Sequence, residues 1–228
     1  MMTKKPENQS LVEQAFGRLR DDIVFGFFSA ADKLNIESLK KRYDMGGTPI
    51  REALNRLVVV GLVEALPLKG FRVHLTSLEQ AQDILQNRQW TEKVMLESAL
   101  SAADDMWESL CVAALHRLKR CVQNEDFETQ QGKQKWLQLE QQFLCQLHSG
   151  CSSSWLTRHF NQLYLHSMQY EQQGLSLMEA PGEWIQARLA LYSQLLDACL
   201  LRDLDLIEGQ RQLLMSQLLV VLQQTEKG

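Results

Sequence analysis

The residues best suited to chemistry lie in one ten-residue run, Thr48-Pro49-Ile50-Arg51-Glu52-Ala53-Leu54-Asn55-Arg56-Leu57. Guanidinium groups and a carboxamide on a short helix can hydrogen-bond phosphates and base edges, and a small helix with one buried side fits a DNA groove. Thr48 is the expected N-cap and Pro49 the first helical residue, which puts Arg51 in the first turn as the leading DNA contact. An internal ion pair is the other reading for Arg51, and for Arg56 and Arg72 the two readings stand side by side. Ahead of the run, Lys40-Lys41-Arg42 offer either phosphate contacts or a solvated helix face. Behind it, Lys69-Gly70 join a cation to a residue whose backbone can approach a phosphate closely. The candidate DNA contacts are therefore Lys40, Lys41, Arg42, Thr48, Arg51, Arg56, Lys69, Gly70 and Arg72. No nucleophile–base pair, Gly-rich phosphate loop or pair of catalytic acids accompanies them, so no enzyme is expected.

The elements that must position these residues follow from periodicity. Ile50, Ala53, Leu54 and Leu57 recur at i, i+3, i+4 and i+7, so one face of the central helix is apolar. Helical spacing also covers Gln9 to Phe25, ended by Gly26, and Ile36 to Tyr43, with Asp44-Met45-Gly46-Gly47 as the turn between two short helices. Leu62–Leu66 and Phe71–Leu75 alternate around Pro67-Leu68-Lys69-Gly70 and read as a β-hairpin, a wing after a helix-turn-helix. From Leu78 on the pattern is helical throughout: Leu78–Asp104, Trp107–Gln123, Lys133–His148, Ser154–Gln173, Glu183–Leu201 and Asp203–Gln224. Gly174 to Gly182 is expected to be a break, and the Gln-rich stretch from Gln130 to Gln146 reads as helix because Trp136, Leu139, Phe143 and Leu147 keep the spacing. The fold class is mainly α: a polar tail (1–8), a winged helix-turn-helix (9–76), and an all-α bundle of about six helices (77–228).

Composition supports a charged front and an acidic body. The chain of 228 residues has a net charge of −4, yet residues 1–75 hold 12 Lys+Arg against 9 Asp+Glu and the remainder holds 12 against 19. That asymmetry suits nucleic acid at one end. The five cysteines, Cys111, Cys121, Cys145, Cys151 and Cys199, form no CxxC pair and read as small hydrophobes of a reducing compartment. With no signal-type apolar segment and no run of roughly 18 apolar residues, no membrane association is expected and a cytoplasmic location is.

The stretch LRDDIVFG, then a spacer, then TPIREALNRLVVVGLVEALPLKGFRV resembles bacterial transcription regulators of the GntR family, FadR-like subgroup. The resemblance covers residues 9–75 nearly continuously, and the helical remainder is similar by spacing to that subgroup's FCD-type ligand-binding domain. It implies a homodimer on a double-stranded operator, usually a repressor released by a small metabolite. It gives Thr48, Arg51, Lys69 and Gly70 DNA-contacting roles. Where the family often has Ser-Arg before Thr-Pro this chain has Gly46 and Gly47, and a common Arg of the preceding helix falls at Glu37. A ligand-insensitive regulator and a winged-helix scaffold for protein binding are the alternatives.

The resemblance also implies a metal that this chain's residues contradict. FCD-type domains commonly hold a divalent ion between one carboxylate and three histidines, suited to Zn²⁺ or Ni²⁺. Carried across, the acid is Glu140, and the imidazole positions are Leu144, Tyr192 and Leu214. His148 lies eight residues beyond Glu140, about 12 Å along a helix, too far to substitute. The expectation is a pocket without metal or other cofactor, formed by Arg88, Glu140, Leu144, Tyr192 and Leu214. There Arg88 would bind the carboxylate of a small organic-acid effector, or would simply pair with Glu92 at i, i+4.

Overall fold

A computed structural model describes residues 10–75 and 77–225, with side chains described through Val220. The polar tail expected at residues 1–8 lies outside the described residues. The chain divides into two compact units, Met1–Thr76 and Ser77–Gly228.

In the first unit, α1 (Leu11–Val24), α2 (Ile36–Tyr43) and α3 (Gly47–Val59) pack around one apolar core, and β1 (Lys33–Leu34), β2 (Val63–Leu66) and β3 (Gly70–Val73) form a small sheet. Ser10 starts α1 by accepting the Glu13 N–H, and Asn35 starts α2 by accepting those of Glu37 and Ser38. The apolar face read from α3 is buried at all four positions, Ile50, Ala53, Leu54 and Leu57, against Ala15, Leu19 and Ile23 of α1 and Leu39 of α2. Asp44 ends α2 in the left-handed region at φ 53°, which turns the chain sharply into α3. The wing differs from a plain hairpin. Strand order is β1-β3-β2, all antiparallel, with Lys33 opposite Arg72 and Glu64 opposite Arg72 on the other side. Its tip is tight: Leu68 and Gly70 both have positive φ, 61° and 88°.

The start of α3 corrects the sequence reading. The helix begins at Gly47, capped by Gly46 in an extended conformation with no side-chain hydrogen bond, so Thr48 is the second helical residue and not the cap. Pro49 is tolerated at the third position because the first turn's N–H groups have no intrahelical partner in any helix.

The second unit holds α4 (Leu78–Ser101), α5 (Asp105–Asn124), α6 (Gln130–Leu147), α7 (Ser154–Leu177), α8 (Pro181–Leu201) and α9 (Leu204–Thr225). Ser77, Asp104, Thr129 and Ser153 each cap a helix by accepting a backbone N–H. The largest contacts join α5 to α6, α4 to α7 and α8 to α9, and α9 also packs on α7 and α4. One reading fails here: α7 runs on through Gly174, which is buried, to Leu177. A glycine inside a helix costs about 1 kcal/mol, and packing of the surrounding turns on α4 and α9 outweighs it. No helix among the described residues is long and apolar enough to cross a membrane.

Candidate nucleic-acid interface and buried polar cluster

Arg51 opens the second turn of α3 and is exposed, between Thr48 one turn before it and Asn55 one turn after. It takes part in no ion pair among the described residues. Together with Ile36, Glu37, Gly47, Thr48, Glu52 and Asn55 it lines an open depression of about 470 Å³. Lys41 and Lys69 are likewise exposed, with no side-chain partner among the described residues. The other candidate cations are engaged. Lys40 Nζ pairs with Glu37 at 2.9 Å, Arg56 with Glu13 at 2.9 Å, and Arg72 with Glu64 at 2.6 Å. Arg42 donates to Asp22 at 2.8 Å and lies over the Phe27 ring, 3.4 Å from its centroid. Asp22 also accepts from the Tyr43 hydroxyl at 2.6 Å, so Arg42 belongs to a local network that ties α2 to α1. Glu64, held between Arg72 and His74, has its carboxyl below the usual range, chiefly through the Arg72 hydrogen bond. The structure thus separates nine candidates into an unpaired set (Lys41, Thr48, Arg51, Lys69 and Gly70) and a paired one. Gly46 and Gly47 leave the N-terminal edge of α3 without side chains, and a Cβ at either would find room.

The helical unit holds the second concentration of polar groups. Arg88, Glu140, Glu171 and Arg188 are each 2% exposed or less. Glu140 accepts from Arg188 Nε at 2.5 Å, from the Tyr164 hydroxyl at 3.0 Å and from the Tyr192 hydroxyl. Arg188 Nη1 donates to the Leu214 carbonyl at 3.0 Å. Arg88 donates from Nε to Glu92 at 2.7 Å, and from Nη1 to Ser167 at 2.9 Å and Glu171 at 3.0 Å. The Arg88–Glu92 pair read from the sequence is therefore present, as one edge of a larger network. Burial by itself would raise the Glu140 pKa, but Arg188 and Arg88 outweigh it and hold the carboxyl below the usual range. Glu171 goes the other way, pushed up to about 8 by burial and by the neighbouring Glu140 carboxylate. Its Oε2 has no partner unless it carries a proton, which it then donates toward Glu140.

Four of the five expected pocket residues, Arg88, Leu144, Tyr192 and Leu214, line one cavity, and Glu140 receives the hydroxyl of Tyr192 beside it. The cavity has a volume of about 20 Å³, space for about one water. A larger hollow of about 180 Å³ lies between α4 and α9, lined by Lys93, Leu96, Leu100, Leu204, Ile207 and Arg211 among others. Arg211 borders both spaces; it pairs with Glu208 at 2.7 Å and leaves Nε without a partner.

The donor set does not fit the implied metal. Among the described residues no three His, Cys, Asp or Glu side chains are grouped to hold an ion. His148 is buried, and burial lowers its pKa to about 4; its ring meets Phe160 edge-on at 4.9 Å. Sequence reasoning missed Arg188, Glu171 and Arg211. A signal was present for the first two: Ile185, Arg188, Tyr192 and Leu195 form the buried stripe of α8, and Tyr164, Ser167, Glu171 and Leu175 that of α7. A charge on a core stripe announces a buried partner.

Comparison with known proteins gives four findings. The family model described as "Bacterial regulatory proteins, gntR family" matches residues 11–73. The chain is 36% identical over 162 residues to the uncharacterized HTH-type transcriptional regulator BphR of Paraburkholderia xenovorans (strain LB400), spanning 71% of this chain and 66% of that protein. It is 29% identical over 188 residues to the HTH-type transcriptional repressor GlaR of Escherichia coli (strain K12), over 81% of this chain and 83% of that one. In fold, the solved structure of E. coli McbR/YncC superposes with a TM-score of 0.80 at 22% identity, covering 96% of this chain and 99% of the other.

Proposed function

The chain belongs to the GntR family of bacterial DNA-binding transcription regulators, which are not enzymes, and on that premise we propose that it binds a double-stranded operator as a homodimer, with Arg51 as the principal base contact. The carrying observation is the exposed Arg51 at the start of the second turn of α3, in no ion pair among the described residues, with Thr48 and Asn55 on the same side. Lys41, Lys69 and the Gly70 backbone add phosphate contacts, while Arg42, Arg56 and Arg72 hold the domain together. A bidentate arginine–guanine pair contributes about 1–3 kcal/mol of discrimination, too little to single out one site in a genome, so two half-sites read by a dimer are needed. Repression is the direction of control that the likeness to GlaR favours, and the place of action is the cytoplasm, where bacterial DNA lies.

The helical unit is the control element in this reading, with an FCD-type fold that works without metal. A small organic acid is the effector class, and the 180 Å³ hollow with Lys93 and the free Nε of Arg211 supports it. Effector and operator would be linked by a shift between populations of head spacings. A second reading, a ligand-insensitive regulator, is favoured by the inner cavity. It holds about one water, and Arg88, Arg188 and Arg211 already have Glu92, Glu140 and Glu208 as partners.

The test uses an operator recovered from random duplexes by selection with the full-length protein. Arg51→Ala abolishes specific retardation while sedimentation still reports a dimer. Unchanged operator binding by that variant overturns the assignment. Alanine at Arg42 or Arg72, in variants that remain folded, leaves specificity intact.

A further inference from the structure

Glu140, Tyr192 and Leu214, three of the four positions that the resemblance assigns to metal ligands, converge on a group the resemblance does not supply. It is the guanidinium of Arg188. Its Nε lies 2.5 Å from Glu140 Oε1, its Nη1 donates to the Leu214 backbone carbonyl at 3.0 Å, and its Cζ stands 5.1 Å from the Tyr192 ring centroid. We propose that Arg188 takes the place of the divalent cation, a resident cation joining α6, α8 and α9, so that the helical unit neither needs nor accepts a metal. The inference rests on the family reading only for which positions would hold an ion.

Three features carry it. First, the carboxylate is engaged. Glu140 is fully buried and already receives three donors, from Arg188, Tyr164 and Tyr192, so an arriving cation would have to displace them. Second, the surroundings favour a donor over a Lewis acid. Leu144 and Leu214 present no side-chain lone pair, and the Tyr192 hydroxyl gives its proton to Glu140 instead of offering an oxygen to an ion. What faces the centre is one carboxylate and one carbonyl, a pattern that a guanidinium fork satisfies and that a tetrahedral zinc site does not. Third, the charge is already met. A divalent ion beside Arg188 would bring a further two positive charges into a core where Arg88 already pairs with Glu92 and Glu171, Arg188 with Glu140 and Arg211 with Glu208.

The test has an arm that needs no variant. Full-length protein from cells grown with added Zn²⁺ and Ni²⁺ is assayed for metal content, then melted alone, with a chelator and with excess Zn²⁺. The expected result is no stoichiometric metal and a melting temperature unchanged in all three. One ion per chain retained through gel filtration, or a melting temperature lowered by the chelator, overturns the proposal. A second arm restores the imidazoles as Leu144→His/Tyr192→His/Leu214→His, with Arg188 intact or changed to Ala. Zn²⁺ raises the melting temperature only where Arg188 is gone. A Zn²⁺ response with Arg188 present, or none in a cooperatively melting quadruple variant, overturns it. If those variants fail to fold, the wild-type arm decides. Neither arm involves DNA, so a failure here and a failure of operator binding are told apart.

Discussion

Glu171 shows how much one buried carboxyl can govern. Its neighbour Glu140 is a carboxylate by virtue of Arg188 and Arg88, and two negative charges this close cannot both persist in the core, so Glu171 keeps its proton up to about pH 8. The folded pKa is raised above the unfolded one. The stabilisation it gives is therefore complete below about pH 4.5 and is lost as pH rises toward about 8, at about 1.4 kcal/mol per pKa unit. Chemical denaturation at pH 5, 7 and 9 checks this. The wild-type midpoint falls across the window by more than that of Glu171→Gln, whose amide donates to Glu140 in place of the proton. Equal pH dependence in the two proteins contradicts the shared-proton pair. At the same scale Glu140→Ala strands Arg188 in the core, and breaking a buried pair of this kind costs about 3–5 kcal/mol.

Helix starts and close approaches decide the elements. Gly132 sits in the first turn of α6, where a Cβ would stand 2.1 Å from the Asp126 carbonyl oxygen, a backbone atom that cannot swing away. Gly132→Ala should destabilise by about 1–3 kcal/mol as overpacking does. Gly17, inside α1 with nothing within 4 Å of a built Cβ, should respond with the opposite sign, gaining about 0.5–1 kcal/mol as alanine. Thermal melts of both variants read the two signs directly. Elements of this sort were legible in the sequence because helical spacing is local: α2 has the bounds read for it, and the starts of α4 and α7 fall at Leu78 and Ser154 as the spacing indicated. Thr48 is not the cap because two glycines before it let the backbone extend and start α3 two residues sooner. The inner network was not legible for a different reason. Glu140 and Arg188 are 48 residues apart, and no spacing rule joins a charge on α6 to one on α8. Leu144, Tyr192 and Leu214 announced missing imidazoles without saying what had filled the space.

For the whole molecule, the separation of paired from unpaired cations predicts how DNA binding responds to salt. Each phosphate neutralised releases counterions and adds about 0.9 to the slope of log affinity against log salt. Lys41→Ala and Lys69→Ala should each lower that slope by about one per subunit, whereas Arg42→Ala, whose side chain is committed to Asp22, leaves it unchanged. Titration of operator binding at several ionic strengths is the measurement. The Arg188–Glu140 link carries a further consequence, one of supply. A cation written into the polypeptide arrives with translation, at one per chain. It cannot be stripped by a competitor, replaced by the wrong element or left vacant in a starved cell. A regulator built this way keeps its helical unit intact whatever the trace-metal economy around it.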